Sequence, residues 1–195
     1  MKKRQLIDLT NKIKKITGGK IPIICGTQSF FAYADFAPDI VSRSIECDYL
    51  FIDLNREIRN KILDEVGLDS DFREKYGYYA DPLGLFTVVL PDGWEERLEE
   101  LRDERGNLIA YCVEIYDTTV SKFIAGREKD FIFIQMLLET EIINIKNFTE
   151  RLLLLKDSPQ WAVVSSRIAI LEEFLRKSGR KINLQTLNDL SKSLE

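Results

Sequence analysis

The sequence contains no histidine, and this absence excludes much of the chemistry that enzymes perform near neutral pH. Serine and cysteine hydrolases of the usual kind need a histidine base, and catalytic zinc is most often held by histidine. Any chemistry in this chain must therefore use carboxylates, lysine, arginine, hydroxyl groups and a bound hard cation.

Cysteine is also scarce, with Cys25, Cys47 and Cys112 odd in number and far apart in apolar stretches. We expect buried free thiols in a reducing cytosol rather than zinc ligands or disulfides. No apolar run is long enough for a membrane span, and the basic residues 1–4 lead into an amphipathic stretch. These features predict a cytoplasmic protein that has no signal peptide and does not enter a membrane.

Positive charge is not in excess, because the formal net charge at pH 7 is -4. A broad nucleic-acid surface usually needs basic excess to displace counterions, so the composition disfavours one. A local basic pocket for a nucleotide or an RNA end remains compatible with this balance. The length of 195 residues fits one domain, or one domain with a helical appendage.

Up to about residue 116, apolar runs alternate with amphipathic stretches, which predicts an α/β domain. The spacing of apolar residues predicts helices over residues 6–16 and up to about residue 66. Residues 77–84 are predicted to form a loop, and residues 94–104 allow a helix or, as we favour, a β-hairpin. The predicted strands are residues 21–25, 47–52, 85–90 and 108–115.

From residue 117 onward the pattern is helical throughout. The predicted helices are about residues 118–125, 128–140, 147–156, 160–178 and 183–194. We therefore predict an α/β domain over residues 1–116, followed by a helical region over residues 117–195 that packs on it.

Two acidic residues open the second predicted strand. Glu46 and Asp48 are two residues apart, so in a strand both side chains lie on the same face. Magnesium prefers carboxylate oxygens, so the pair can form the minimal cradle for Mg²⁺. Solvated acids at the start of a strand are the simpler interpretation of the same spacing.

A Gly26-Thr27 pair follows the first predicted strand. Backbone amides near a glycine can approach a phosphate closely, and the threonine hydroxyl is a further donor. An ordinary strand-to-helix turn capped by Thr27 is the alternative. Arg43 lies shortly before the two acids, where it can contact phosphate or remain on the surface.

Basic residues surround Gly126 in the helical region. Lys122, Arg127 and Lys129 can neutralise a triphosphate, with Asp130 holding one of them through an ion pair. An ion-pair corner between two helices is an equally good interpretation.

Several short segments, taken in their order and spacing, resemble a known family. They are residues 25–30, 43–49, 72–79, 90–98 and 112–130. Together they resemble poorly characterised prokaryotic nucleotidyltransferase-like proteins of the polymerase-beta-type superfamily, distantly similar to the nucleotidyltransferase toxins of abortive-infection systems. The sequence departs from the superfamily pattern because the usual Asp-x-Asp is Glu46-x-Asp48. Glu114 is the only candidate for a third carboxylate.

The resemblance implies a nucleotidyltransferase-like fold, a mixed sheet with a C-terminal helical region. It also implies metal-dependent transfer of a nucleotide from a nucleoside triphosphate to an RNA or protein acceptor, within a toxin–antitoxin or phage-defence system. Glu46 and Asp48 would then be catalytic, and with Glu114 would hold Mg²⁺. The nucleotide-binding residues would be Gly26, Thr27, Arg43, Lys122, Arg127, Lys129 and Asp130.

The alternative is a catalytically inactive nucleotide-binding or antitoxin-like protein of the same fold, which would have a cognate toxin as its partner. A protein with a purely structural role and no ligand is a third hypothesis. If the enzymatic hypothesis is right, residues 122–130 should fold back over the strand that carries Glu46 and Asp48. The reason is that neighbouring carboxylates repel unless a cation lies near them.

Overall fold

The computed structural model describes residues 1–34, 37–53 and 55–179, together with Gln185 and Asp189. These residues group into two compact units. The first comprises Met1–Val88 and Glu95–Glu114, and the second comprises Val89–Trp94 and the described residues from Ile115 onward. Among the described residues, no helix combines the length and the apolar character needed to cross a membrane.

The first unit contains a mixed sheet with the strand order β3-β2-β1-β5-β4. Its strands are β1 (Ile23–Cys25), β2 (Glu46–Phe51), β3 (Tyr79–Gly84), β4 (Glu99–Arg102) and β5 (Leu108–Cys112). Strand β1 pairs antiparallel with β2 and parallel with β5, whereas β3 runs parallel to β2. The mixed α/β class predicted from the sequence is therefore confirmed.

Four helices accompany the sheet in the described part of the first unit. They are α1 (Lys3–Ile16), α2 (Asp39–Arg43), α3 (Arg56–Val66) and α4 (Asp71–Tyr76). Asn55 caps α3 by accepting a 2.8 Å hydrogen bond from the Ile58 amide, and Gly67 follows its last residue. The helices predicted for residues 6–16 and up to about 66 are confirmed.

Strand β2 has one buried face and one polar face. Cys47 and Tyr49 are fully buried, and the Tyr49 hydroxyl lies 2.7 Å from the hydroxyl of Thr10 on α1. That side of the strand therefore faces α1. Because side chains alternate along a strand, Glu46 and Asp48 lie on the opposite side.

The third strand along the chain differs from the prediction. Residues 79–84 form β3, where the sequence predicted a loop, and Leu85–Thr87 forms a 3-10 turn where a strand was predicted. Pro82 made residues 79–84 look like a loop because proline cannot donate to a ladder. However, β3 is the outermost strand of the described sheet and pairs only with β2, so a missing donor is tolerated there.

The prediction of a β-hairpin rather than a helix for residues 94–104 is confirmed, because strand β4 pairs with β5. A 3-10 turn over Trp94–Arg97 leads into β4, which pairs antiparallel with β5. Gly106 occupies the turn with a φ of +81°, a conformation that glycine adopts readily. Strand β5 ends at Cys112, three residues earlier than predicted.

The second unit is helical in its described part. Its helices are α5 (Ile115–Ala125), α6 (Glu128–Glu139), α7 (Ile145–Leu152) and α8 (Val164–Lys177). Short 3-10 turns over Leu153–Leu155 and Pro159–Val163 replace parts of two predicted helices. The helix predicted for residues 183–194 lies outside the described residues, except for Gln185 and Asp189.

Candidate functional site

The candidate site is built at the end of β1, where the chain turns sharply at Gly26. Ile24 and Cys25 are buried, and Gly26 has a φ of +69°. A 3-10 helix over Gly26–Ala32 follows, rather than an α-helix. The Ser29 hydroxyl donates a 2.8 Å hydrogen bond to the Gly26 carbonyl and so closes this turn. Thr27, beside it, is half-buried and is not the N-cap residue.

Gly26 lies against the carboxylate of Asp48. In the β1–β2 ladder Cys25 is paired with Asp48, which brings the turn next to this side chain. A Cβ atom added to Gly26 would collide with the Asp48 carboxylate. The positive φ favours glycine, and a side chain at this position would also push the Asp48 carboxylate aside.

The strand register brings a third carboxylate to the same face. Because β2 and β3 are parallel and in register, Asp81 lies opposite Asp48, and Tyr79 opposite Glu46. All four side chains point to the same side, since both strands alternate in step. The half-buried Asp81 thus joins the two acids that were predicted from the sequence.

Sequence reasoning missed Asp81 because residues 77–84 were predicted to be a loop. The signal that could have identified it is the alternation along residues 79–82. Ala80 and Pro82 are buried, whereas Tyr79 and Asp81 are only half-buried. Such alternation is typical of a strand with one buried face.

The electrostatics of Asp81 reflect its crowded surroundings. Burial raises the pKa of this carboxyl, and the negative charge of Glu46 raises it further, while the Arg59 guanidinium acts in the opposite direction. The net result is a pKa above the ordinary value for aspartate. A carboxyl of this kind is better suited to accept a proton than an ordinary surface aspartate.

Tyr79 holds the side chain of Glu46. Its hydroxyl donates a 3.1 Å hydrogen bond to Glu46 Oε2. Burial, followed by the charge of Glu46, raises the pKa of Tyr79 to about 12, so the hydroxyl keeps its proton at neutral pH. This bond fixes one carboxylate oxygen of Glu46. The Glu46 side chain is one methylene longer than that of the aspartate in the superfamily pattern.

The carboxylate oxygens on this face suit magnesium that is bound together with the phosphates of a nucleotide. Glu46, Asp48 and Asp81 all offer hard oxygen ligands, which Mg²⁺ prefers. Among the described residues, no group of three or more histidine, cysteine or acidic side chains is arranged to hold a metal ion. Magnesium is commonly bound by one or two carboxylates together with substrate phosphates and water. The residues therefore fit Mg²⁺ that arrives with a nucleotide, rather than a permanently caged ion.

Two further predicted site residues belong to the first unit but lie outside strands β2 and β3. Arg43 is exposed at the end of α2 and pairs at 3.3 Å with Asp39, one helical turn earlier. Glu114 follows the end of β5, and strand β1 separates β5 from β2 in the sheet. The roles of Arg43 in nucleotide binding and of Glu114 in metal binding stay predictions.

In the second unit, Lys122 and Arg127 converge on Asp130. Asp130 is fully buried and accepts bonds from Lys122 Nζ at 3.2 Å and from Arg127 Nε at 2.7 Å. Burial alone would raise the pKa of Asp130, but the two cations outweigh it and hold the pKa below its ordinary value. These contacts form the ion-pair corner between helices that the sequence allowed.

Gly126 makes this corner possible. It joins α5 to α6 with a φ of +64°, so that Lys122, near the end of one helix, reaches Asp130 in the first turn of the next. Lys122 also lies 4.9 Å above the ring of Phe133, whereas Lys129 is exposed. Binding of nucleotide by these basic residues, and their approach to β2, stay predictions.

Comparison with known proteins gives one result. The sequence model of a family described as nucleotidyltransferase of unknown function (DUF6036) matches residues 4–154, well over half of the chain. No curated protein and no solved structure matches the sequence significantly. The resemblance to nucleotidyltransferase-like proteins is confirmed, while the similarity to abortive-infection toxins stays a prediction. On the strength of this match, the chain belongs to that family of nucleotidyltransferases of unknown function.

Proposed function

We propose that the protein transfers a nucleotide from a nucleoside triphosphate to an acceptor hydroxyl in a magnesium-dependent reaction. The observation that carries this proposal is the set of three carboxylates, Glu46, Asp48 and Asp81, on one side of two paired strands. Membership of a nucleotidyltransferase family supports a nucleotide as the substrate.

Each carboxylate has a role that follows from its surroundings. Glu46, oriented by Tyr79, and Asp48, beside Gly26, would hold the cation. Bound Mg²⁺ would draw negative charge from the triphosphate and favour departure of pyrophosphate. Asp81, whose pKa is raised, would take the proton of the acceptor hydroxyl. The oxygen of that hydroxyl would at the same time form its bond to the α-phosphorus, and pyrophosphate would leave.

The turn after β1 would receive the phosphates. Gly26 has no side chain, so a phosphate can approach its backbone closely beside Asp48. The hydroxyl of Thr27 is a suitable further donor at the start of the 3-10 helix. Lys122, Arg127 and Lys129 belong to the second unit, and their role in neutralising the triphosphate stays a prediction from the sequence.

Label transfer tests the proposal directly. The purified protein is incubated with each α-labelled nucleoside triphosphate, Mg²⁺ and either total RNA or cell lysate. We expect label on one acceptor class, and a loss of roughly a hundredfold or more in Asp48→Asn, which removes a charge from the cation site. Asp64→Asn, at an exposed position on α3, is the matched control and should transfer normally. Transfer unaffected by Asp48→Asn would refute the site.

A second candidate is a nucleotide-binding protein without catalysis, such as an antitoxin-like protein. It is favoured by Glu46, which replaces the aspartate of the superfamily pattern and is already engaged by Tyr79. Calorimetry distinguishes the two hypotheses. Binding of nucleotide and Mg²⁺ without any labelled product would establish the inactive protein.

The biological setting is proposed from the sequence resemblance alone. It is a toxin–antitoxin or phage-defence system, with an RNA or protein acceptor and a cognate antitoxin or toxin as partner. Growth of cells that express the wild-type chain, compared with cells that express Asp48→Asn, tests it. Growth arrest only with the wild type indicates a toxin, whereas identical growth of both strains contradicts that role.

A further inference from the structure

A groove of about 790 Å³ lies in the first unit between the start of α1 and the β4–β5 hairpin. Four of the side chains that line it are cationic, namely Lys3, Arg4, Arg102 and Arg105. They come from two separate elements, so positive charge is distributed on both walls. This local concentration contrasts with the net negative charge of the whole chain.

The two acidic side chains in the groove, Asp103 and Glu104, offset only part of this charge. Asp103 accepts hydrogen bonds from the amides of Arg105 and Asn107 at 3.0 and 2.8 Å, and from the Asn107 side chain at 3.0 Å. These bonds lower the pKa of Asp103 and turn its carboxylate toward the hairpin. Against four cations, Asp103 and Glu104 together still leave an excess of two positive charges among the described side chains that line the groove.

The cations differ in how they are held. Arg102 is fixed, because its guanidinium pairs with Glu100 at 2.6 Å and donates to the Gly106 carbonyl at 2.7 Å. Arg4 and Arg105 are exposed, and in the described part of the chain their side chains make no hydrogen bond or ion pair. Both side chains are therefore exposed to an anionic ligand, although the charge of Arg105 also acts on Asp103.

The start of α1 adds to the positive potential of the groove. Its first turn contains no acidic residue, so the partial positive charge of the helix terminus is not offset there. The Met1 ammonium group donates hydrogen bonds to the carbonyls of Ser42 and Ser44.

The lining of the groove favours phosphate over base recognition. Among the described residues that line it, none has an aromatic ring on which a base could stack, and Ile7 alone is apolar. Arginines on two walls suit successive phosphates of a strand, which position a nucleic acid without reading its sequence. A protein partner without negative charge on its surface would not pair with these cations.

We propose that this groove binds the phosphodiester backbone of a single nucleic-acid strand. The inference goes beyond the proposed function, because the groove lies beside α1, whereas Glu46 and Asp48 lie on the opposite side of β2.

Fluorescence anisotropy with labelled 12-nucleotide strands tests the groove in the full-length protein. The probes are an RNA, a DNA and a peptide nucleic acid of the same sequence, without nucleotide or Mg²⁺. We expect both charged strands to bind in low salt and the neutral strand not to bind. Equal affinity for RNA and DNA indicates recognition of the phosphodiester backbone alone, whereas tighter binding of RNA indicates an additional contact with the 2′-hydroxyl groups.

The variant Arg4→Gln/Arg105→Gln should weaken binding roughly tenfold in low salt. The slope of log K against log salt should fall by about 1.4, because each phosphate contact on a single strand contributes about 0.7. Lys20→Gln/Arg56→Gln removes the same charge from exposed positions outside the groove and should bind like the wild type. Matching melting temperatures would verify that both variants fold.

Two results would overturn the inference. One is no binding of either charged strand by the wild type at about 100 µM protein, the weak limit for non-specific binding. The other is an equal loss of affinity in the control variant. The same measurement on Asp48→Asn separates this inference from the proposed function. Strand binding should persist in that variant, whether or not the wild type transfers nucleotides.

Discussion

At the scale of single residues, Gly26 carries two constraints that can be separated by experiment. Its φ is +69°, and a Cβ atom would also collide with the Asp48 carboxylate. Gly19 has a φ of +89° but open space around it, so it is a matched control for backbone strain alone.

Gly26→Ala should therefore be more damaging than Gly19→Ala. The strain of a left-handed conformation costs about 1–2 kcal/mol for a residue with a Cβ atom, and both variants should show that loss in thermal unfolding. Only Gly26→Ala should lose further stability and most nucleotide transfer, because it displaces Asp48. Equal destabilisation with equal remaining activity would contradict the close approach of Gly26 to Asp48.

Asp81 makes a prediction about pH. Its pKa in the folded protein is raised by burial and by Glu46, so the fold favours the protonated form. The stability that this group contributes is therefore fully present below its unfolded pKa, and is lost as pH rises through the folded pKa.

Asp81→Asn should accordingly raise the melting temperature at about pH 7.5 and have little effect near pH 3, below the ordinary carboxyl pKa of about 3.9. Calorimetric unfolding in a chelator at both pH values measures this difference. A variant that is less stable than the wild type at the higher pH would show that the ionised Asp81 carboxylate does not destabilise the fold.

At the scale of elements, the corner between α5 and α6 tests a structural role against a binding role. Lys122 is 8% exposed and pairs with Asp130, which is fully buried. Removing one partner of a buried pair costs roughly 3–5 kcal/mol. Arg127 still contacts Asp130, so a value at the lower end is expected.

Lys122→Met should thus lower the melting temperature markedly, whereas Lys129→Met, at an exposed position one residue before Asp130, should not. Thermal unfolding with and without nucleotide measures both effects. An unchanged melting temperature combined with lost nucleotide affinity in Lys122→Met would instead identify a binding residue.

The elements also show how far sequence reasoning reaches. Strands β1 and β2 and helices α1 and α3 were predicted because apolar spacing and capping residues are local signals. Strand β3 was missed because Pro82 and Gly84 disfavour a strand locally, while pairing with β2 decides the outcome. The register that brings Asp81 opposite Asp48 joins residues 33 positions apart, and no local pattern encodes it.

At the scale of the whole molecule, the average charge conceals a local pattern. The net charge of -4 disfavoured a broad nucleic-acid surface, yet the hairpin and α1 gather four cations around one groove. The composition could not reveal this groove because its residues are about a hundred positions apart. The family match confirms the resemblance to nucleotidyltransferases.

The most direct test of the central claim is the rate of label transfer by Asp81→Asn, measured beside Asp48→Asn and Asp64→Asn at saturating nucleoside triphosphate and Mg²⁺. The account predicts that the first two lose transfer by roughly a hundredfold or more while remaining folded, and that Asp64→Asn keeps the wild-type rate. Wild-type transfer by Asp81→Asn would contradict it, because the carboxylate that the strand register brings to the site would then have no part in the reaction.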